Sequence, residues 1–533
     1  MITTTTDTSE PTHPEHAPLL HPEEIPTWKA IIRNTLKVTG PLVIANTCSA
    51  TLDFLANNII SHQDPDSLAA AALITSTQVT ILVVSSGLLL TVGNFTSEAA
   101  GAKHNQEVGI IYRQSQLIAG LSGILIIPLF YHAAAIQKLL GQRPELITIT
   151  QDYFRSYMYA APAELMLIAS QQFASGLRKQ PFILAVSIIN PIVFYLLGRA
   201  LANGQGIQGV GYAYIITNWS SWLAYQLYFH CHANFKNFSL RAFSSLKNEL
   251  DYLRSLLANS FPVSLMLGGE LGAFFMLNTF AGHLSKEDIQ THNIVLQYVL
   301  LSLVPLIALS ESASILVGES LGTNQLSTIR RYAGTHLALG LAMASLSLIL
   351  FTCLPKTLAS LFIDIDEEES SYINSTLKWV FLIYAIGQIF EAIRHTSLGT
   401  LRGIHDTMIP MIINFISLWF VAVPLAFILS KYTDMRIPGI ALGDSFGSIG
   451  SLFLLYRCYK KTTHDALSEI ANENEAKVPS SFLDRFSFFR NKNNNNKQSK
   501  NKKLSDYITK IAKPGGYLSC ASDQPPGNIV ITP

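Results

Sequence analysis

The sequence predicts an all-α membrane protein with twelve transmembrane helices in two six-helix lobes related by a parallel repeat. Composition is the first observation: 49% of the 533 residues are hydrophobic and only 14% are charged, whereas a soluble protein carries about 25% charged residues. Long apolar stretches recur along the chain, and the second half repeats features of the first half in the same order. Much of the surface is therefore expected to face lipid.

Twelve stretches satisfy the length requirement for a spanning helix, which is about 20 mostly apolar residues. They are 36–60, 68–96, 109–132, 150–175, 181–202, 209–231, 257–281, 292–318, 329–354, 374–399, 406–430 and 437–458. The predicted domains are an N-terminal tail at 1–35, a first lobe at 36–231, an amphipathic linker at 232–256, a second lobe at 257–458 and a C-terminal tail at 459–533.

The distribution of Lys and Arg predicts that both termini are cytoplasmic, because basic residues are enriched on the cytoplasmic side. The KNNNNKQSKNKK stretch of the C-terminal tail is typical of disorder. Segment 482–490 mixes aromatic residues with Arg and is either a contact with anionic lipids or an ordinary solvated tail. The net charge of +1 does not indicate a nucleic-acid partner.

Matching residues recur in the two halves at a nearly constant spacing. Pro41 matches Pro262, Asn57 matches Asn278, Gly101 matches Gly322, Arg178 matches Arg402, Asn190 matches Asn414, and Gly209 matches Gly439. Because each half holds an even number of helices, both halves have the same orientation. A parallel repeat with a substrate site between the halves is an architecture of secondary transporters.

Three acids lie within predicted spans of the second half and have no acidic counterpart in this alignment. Glu270, Glu311 and Glu391 fall opposite Ser49, Leu90 and Leu167. A carboxylate within a span costs about 2.5–3.5 kcal/mol on insertion scales. These three side chains are therefore expected to face the interior of the bundle, and the alignment predicts that they are an addition in the second lobe.

A buried carboxyl group can hold a proton or, when ionised, attract an organic cation or sodium. Competition of two cations for one carboxylate would produce antiport. Glu391 shares a helix face with Arg394 and His395, so a structural ion pair is the alternative. Asp53 shares a face with Asn57, which fits either a second cation site or hydrogen-bonded packing.

The remaining acids have structural interpretations. Glu164 follows Pro162 in a predicted span of the first half. Glu98 and Glu319 lie at helix ends beside Gly101 and Gly322, where they are expected to bridge to loop cations such as Arg178 and Arg402. The five cysteines are scattered without metal-ligand spacing, so neither a metal nor an organic cofactor is predicted.

Four segments together resemble the multidrug and toxic compound extrusion (MATE) family. They are Asp64-Pro-Asp-Ser-Leu-Ala-Ala-Ala, Thr96-Ser-Glu-Ala-Ala-Gly-Ala, Ser314-Ile-Leu-Val-Gly-Glu-Ser-Leu-Gly and Leu401-Arg-Gly-Ile-His-Asp. The resemblance covers about 35–460 and favours the NorM-like and eukaryotic branches. It implies two lobes around a V-shaped central cavity and export of organic cations in exchange for protons or sodium.

The resemblance also implies roles for individual residues. Glu270 and Glu391 stand where many members have functional acids, and they are the candidate proton or sodium sites. The helix-one aspartate of many members falls on Asn57, so Asp53 either substitutes for it or the site is lost. The aspartate of the archaeal branch falls on Phe194. Coupling is therefore expected in the second lobe.

Two other functional classes remain open from the sequence. One is a flippase for lipid-linked sugars from the same superfamily, which would favour a cationic cavity. The other is an intramembrane enzyme or a scaffold that does not transport, for which no catalytic motif is found within the spans. The N-terminal Glu15, Leu19 and Leu20 resemble an acidic dileucine sorting signal, which would favour an endolysosomal or vacuolar membrane over a plasma or inner membrane.

Overall fold

The computed structural model describes residues 26–462 except for 62, 64–66, 140, 142–143 and 361–369. The described residues form helices and turns, with no β-strand among them. The predicted sorting signal, the segment 482–490 and the first three residues of the Asp64 motif lie outside the described residues.

The described residues of the first half form nine helices, which follow one another closely. They are α1 (Trp28–Ser61), α2 (Ser67–Ser86), α3 (Val92–Gly101), α4 (Asn105–Tyr131), α5 (Ala133–Leu139), α6 (Pro144–Tyr157), α7 (Ala161–Gly176), α8 (Gln180–Gln205) and α9 (Ile207–Cys231). A 3₁₀ segment at Ala233–Phe238 follows α9.

The second half also contains nine described helices. They are α10 (Leu246–Gly282), α11 (Lys286–Gly322), α12 (Leu326–Cys353), α13 (Pro355–Ala359), α14 (Ser370–Gly403), α15 (Met408–Ile416), α16 (Val423–Tyr432), α17 (Arg436–Gly447) and α18 (Ser451–Lys460). A π-helical turn at Ser417–Ala422 joins α15 to α16, and a 3₁₀ turn at Ser448–Gly450 joins α17 to α18.

These helices form the predicted twelve transmembrane segments in two lobes. Among the described residues, 8 segments are long and apolar enough to span a membrane by length and composition alone. The remaining four of the twelve transmembrane segments are α1, α9 and two segments that are each interrupted, α2–α3 and α6–α7. The predicted linker, 232–256, includes the 3₁₀ segment and the first residues of α10, which begins at Leu246 after its N-cap Ser245 accepts a hydrogen bond from the Asn248 amide.

Large apolar side chains are exposed on the outer faces of the helices. Leu125 on α4 is 73% exposed, and Phe420 in the π-helical turn is 70% exposed. A soluble monomer rarely leaves such residues uncovered over many helices. This surface is therefore suited to lipid, as the composition predicts.

The turns that follow α7 and α14 correct the alignment of the two halves. Arg178 and His405 have the same left-handed backbone, with φ of 56° and 58°, and each lies two residues beyond the glycine that ends its helix, Gly176 or Gly403. The structural counterpart of Arg178 is therefore His405, three residues beyond the predicted Arg402.

This shift of three residues changes the interpretation of the acids. In the corrected alignment Glu391 lies opposite Glu164, and Leu167 lies opposite Arg394. The hydrogen bonds agree: Glu164 accepts one from Asn218 on α9, and Glu391 accepts one from Ser448, in the corresponding last span. The prediction that Glu391 is an addition in the second lobe is therefore wrong, whereas Arg394 has no basic counterpart.

Candidate functional site

The second lobe contains a buried charged cluster, to which α10, α14 and α15 each contribute. Arg394 Nε and Nη2 donate to Glu391 Oε2 at 3.0 and 2.6 Å, and Arg394 Nη1 donates to Glu270 Oε1. Asn414 donates to Glu270 Oε1 at 2.9 Å, and Ser448 donates to Glu391 Oε1 at 2.6 Å. One guanidinium group therefore bridges carboxylates from two helices.

The local sequence explains how this cluster is assembled. Glu391 and Arg394 are three residues apart on α14 and so lie on one face. On α10, Gly269 and Gly272 flank Glu270 and leave room for Trp419, whose indole donates to the Gly269 carbonyl at 3.0 Å. A Cβ atom at Gly272 would lie 2.8 Å from the Trp419 ring. The glycines thus allow α10 to pack closely against the π-helical turn.

Two further titratable residues border the cluster. His395 Nε2 lies 3.6 Å from Glu391 Oε2 and 3.3 Å from Arg394 Nη2. Asp444 on α17 interacts electrostatically with Glu391 and Arg394. The sequence analysis placed His395 on this face but did not identify Asp444. The only feature of the sequence that could have indicated Asp444 is that an acidic residue lies within the predicted span 437–458.

The first lobe contains a second acidic group with uncharged partners. Tyr214 donates to Asp53 Oδ1 at 3.2 Å. Tyr157 and Asn218 donate to Glu164 Oε2 at 2.6 and 3.3 Å. The two carboxyl groups are close enough to interact electrostatically. The predicted alignment placed Leu167 rather than Glu164 opposite Glu391, so it concealed the match between the two acids.

A small cavity adjoins Asp53 in this lobe. It is lined in part by Asn57, Thr75, Gln78 and Tyr153. Thr75 donates to Asn57 at 2.5 Å, and Tyr153 donates to Gln78 at 2.7 Å. Asp53 and Asn57 therefore lie together, as their spacing predicts, and the cavity provides oxygen atoms suited to a small cation.

The third acid of the second half, Glu311, lies outside the charged cluster. It accepts a hydrogen bond from Gln172 of the first lobe at 2.9 Å and interacts electrostatically with Arg402. Arg402 also donates to Ser310 at 3.1 Å. Glu311 thus lies at the contact between the lobes.

The predicted asparagines do not form one site. Asn278 is two helical turns from Glu270 on α10 and interacts with His292 at 2.9 Å. Asn190 donates to Ser221 at 3.1 Å within the first lobe, whereas Asn414 belongs to the charged cluster. Asn190 and Asn414 therefore have different hydrogen-bond partners. They are also no longer opposite each other once the alignment is shifted at the turns after α7 and α14.

The two lobes contact each other tightly at one end of the bundle, where α3, α7, α11 and α14 end. We call this region the closed end. Arg178 pairs with Glu319 at 2.6 Å, and His405 pairs with Glu98 at 2.5 Å. Each pair joins a turn of one lobe to a helix of the other. The predicted Arg178–Glu319 bridge is confirmed, but the partner of Glu98 is His405 rather than Arg402.

Glycines allow the backbones to meet at the closed end. A Cβ atom on Gly101 would lie 2.6 Å from the Glu319 carbonyl oxygen, and one on Gly322 would overlap the Glu98 carbonyl. Pro41 and Pro262 are inside α1 and α10, and Ser260, two residues before Pro262, forms a hydrogen bond with Thr91 across the lobes. The lobes therefore pack with almost no space between them here.

Among the described residues, no group of three or more His, Cys, Asp and Glu side chains is arranged to hold a metal ion. The polar groups of both lobes instead form mixed networks of carboxylates, amides and hydroxyls. Such networks suit protons, monovalent cations or organic cations better than a resident transition metal.

Comparisons with known proteins agree with this geometry. The chain is 24% identical over 452 residues to "Probable multidrug resistance protein NorM" of Synechocystis sp., across 81% of this chain and 95% of that protein. It is 23% identical over 432 residues to the protein of the same name from Xylella fastidiosa, across 80% and 90% of the two chains. The crystal structure of eukaryotic MATE transporter AtDTX14 matches with a TM-score of 0.73 at 19% identity, covering 83% and 99%.

A family model adds the decisive comparison, because it matches residues 41–198 and 262–428, one range in each lobe. The two ranges together cover more than half of the chain. The chain therefore belongs to the MatE family of multidrug efflux transporters, whose members are not enzymes.

Proposed function

We propose that this transporter is a secondary active antiporter, which exports small organic cations in exchange for protons or sodium by alternating access. The observation that carries the proposal is the pair of equivalent buried acids, Glu164 and Glu391, one in each lobe. Each belongs to a polar network within a bundle whose lobes contact each other closely at one end.

The chemistry of exchange follows from burial. An ionised carboxylate within a membrane protein is unstable without a cation, a proton or strong hydrogen-bond donors. When an organic cation binds, it takes over the electrostatic role of the coupling ion, and that ion is released. Exchange rather than joint transport is the result of this competition.

Alternating access requires the closed end to open while the opposite end closes. The Glu98–His405 and Arg178–Glu319 pairs are suited to this task, because each must break when the lobes separate. Rocking of two similar lobes around a central site is a known mode of carrier motion. These pairs therefore act as the gate in our proposal.

We assign roles to the predicted residues on this basis. Glu270 and Glu391 bind the coupling ion or the substrate, with Asp53 and Asn57 as a second cation site. Glu311 couples substrate binding to the contact between the lobes through its hydrogen bond with Gln172. Asn278 stabilises α10 through its hydrogen bond with His292. The remaining predicted residues shape the helices and the gate: Pro41, Pro262, Gly101, Gly322, Arg178, Arg402, Asn190 and Asn414.

We also propose the orientation that the Lys and Arg distribution predicts, with both termini and the closed end in the cytoplasm. In this orientation the lobes are closed against each other on the cytoplasmic side. The lobe limits at 36–231 and 257–458 and the cytoplasmic tails belong to the same proposal. The membrane is a plasma or inner membrane, with an endolysosomal or vacuolar membrane as the alternative. The C-terminal tail contacts anionic lipids, with an ordinary solvated tail as the alternative.

A flippase for lipid-linked sugars is less well supported by the charges of the interior. A phosphate group would require several uncompensated cations. In the second-lobe cluster the only arginine, Arg394, already binds Glu270 and Glu391. The cluster therefore has a shortage of positive charge rather than an excess.

The test is efflux of ethidium, a fluorescent organic cation, from proteoliposomes under an imposed pH or sodium gradient. We expect gradient-driven efflux by the unaltered protein. Glu270→Gln and Glu391→Gln should each reduce it by at least about tenfold, since each removes a charge on which coupling depends. Glu145→Gln, which changes an exposed acid on α6, is the control and should keep the original rate.

Two results would count against the proposal. Ethidium retention that is independent of both gradients would exclude cation-coupled antiport of this substrate class. Original efflux rates in both the Glu270 and Glu391 variants would remove the assignment of the second-lobe acids.

A further inference from the structure

We propose that Arg394 is a built-in counter-cation that occupies the cation site of the second lobe and excludes sodium from Glu270 and Glu391. The inference rests on the proposed function, because it names the ion that this lobe rejects. It begins from one observation: the only arginine of the cluster lies between the two acids that would otherwise bind a free cation.

The hydrogen bonds of Arg394 leave no nitrogen of its guanidinium group unused. Nε and Nη2 donate to Glu391, Nη1 donates to Glu270 and to Asn414 Oδ1 at 3.3 Å, and Nη2 also lies 3.3 Å from His395 Nε2. The Arg394 side chain is 11% exposed. Arginine also keeps its charge at any physiological pH. The group is therefore held as a permanent cation.

Sodium would need the same oxygen atoms that Arg394 and its neighbours already use. A hard cation takes several oxygen ligands at short distance, and this cluster offers those of Glu270, Glu391, Asn414 and Ser448. The Asn414 amide donates to Glu270, and the Ser448 hydroxyl donates to Glu391. Among the described hydrogen bonds, none goes to Glu270 Oε2. This single oxygen can bind a proton, which requires only one lone pair, but it does not supply the several ligands that sodium needs.

The first lobe shows the same position without the arginine. Leu167 is the structural counterpart of Arg394, and Glu164, the counterpart of Glu391, is held by the neutral donors Tyr157 and Asn218. A positive charge is therefore not required to maintain an acid at this place in the fold. The arginine instead adds a property to the second lobe, and we identify that property as the exclusion of sodium.

The experiment compares thermal unfolding of purified protein in detergent with Na⁺ or K⁺ at equal ionic strength. A ligand that binds the folded state raises Tm in a saturable manner. We expect Arg394→Gln to acquire a Na⁺-specific rise in Tm that the unaltered protein lacks. The double variant Glu270→Gln/Arg394→Gln should lose this response, because Glu270 then no longer supplies a carboxylate to the site.

Arg113→Gln is the matched control. Arg113 also pairs with a buried glutamate, Glu249, which is 4% exposed, but among the described residues it pairs with no second carboxylate. Its loss should therefore produce no Na⁺-specific stabilisation. If Arg394→Gln cannot be purified folded, Arg394→Lys decides instead: an ammonium group lacks the fork that spans both acids, and a partial Na⁺ response is expected.

A Na⁺-specific rise in Tm of Arg394→Gln no larger than that of the unaltered protein would overturn the inference. If Arg394→Lys has to be used instead, the absence of a Na⁺-specific rise in its Tm would overturn it in the same way. So would a Na⁺ response of the unaltered protein that Glu270→Gln abolishes. The measurement does not depend on transport. If efflux responded to neither gradient while Arg394→Gln still gained Na⁺ binding, the proposed function would fail and the role of Arg394 would stand.

Discussion

Glu164 and Glu391 are equivalent acids in the two lobes, but their partners differ in charge. Glu164 accepts hydrogen bonds from Tyr157 and Asn218, whereas Glu391 is bound by Arg394 and Ser448. Hydrogen bonds between a guanidinium group and a carboxylate join two ionised groups and are therefore strong, whereas those from Tyr157 and Asn218 come from neutral donors. The two acids should therefore respond differently to the same substitution.

We predict that Glu391→Gln lowers the stability of the protein more than Glu164→Gln does. The first change replaces the charge-assisted hydrogen bonds from Arg394 by weaker bonds to a neutral amide, at a cost on the order of 2 kcal/mol. The second change retains an oxygen that Tyr157 can donate to, so its cost should be smaller. Tm in detergent, followed by tryptophan fluorescence, measures the difference, and equal losses in the two variants would contradict this account.

At this scale the sequence predicts contacts within a helix and misses contacts between helices. The spacing of Glu391, Arg394 and His395 correctly places them on one face of α14. The bond from Arg394 to Glu270 depends on how α10 packs against α14, and no spacing within either helix encodes it. Asp444 was missed for the same reason, because its proximity to the cluster arises from the packing of α17.

The closed end is a feature of elements rather than of single residues, because helix ends of both lobes exchange contacts reciprocally. Gly101 lies against the backbone of Glu319, and Gly322 lies against the backbone of Glu98. The acids at these helix ends then pair with cations of the opposite lobe. The Glu98–His405 pair is the more buried, with side chains 5% and 12% exposed, compared with 32% for Glu319 and 38% for Arg178.

We predict that Gly322→Ala opens the closed end. The added methyl group would overlap the Glu98 carbonyl, and packed backbones yield by moving apart rather than by compressing. A cysteine introduced by Ser97→Cys, at a buried position of the closed end, should react faster with a water-soluble maleimide in a cysteine-free background when Gly322→Ala is present.

Gly120→Ala is the matched control for this measurement. Gly120 also lies within a helix, but nothing comes within 4 Å of a Cβ atom built there. The control should leave the labelling rate unchanged. Equal labelling of Ser97→Cys with and without Gly322→Ala would show that the glycine contact does not hold the lobes together.

For the whole molecule, composition and the internal repeat were sufficient to predict twelve transmembrane segments in two lobes, and the structure confirms this arrangement. The alignment of the repeat was accurate through α3 and α11 but shifted by three residues at the turns after α7 and α14. Local identity favoured a match between Arg178 and Arg402, whereas the left-handed backbone belongs to Arg178 and His405. Matching by residue type was therefore wrong at these turns, because equivalent positions in the two halves share a backbone conformation rather than a side chain.

The central claim is that a substrate cation and a coupling proton compete for carboxylates of the bundle. The most direct measurement is the number of protons released when ethidium binds to the purified protein in weakly buffered, Na⁺-free detergent solution. The account predicts proton release that saturates together with ethidium binding and that decreases in Glu391→Gln. Saturable ethidium binding with no change in pH would contradict it.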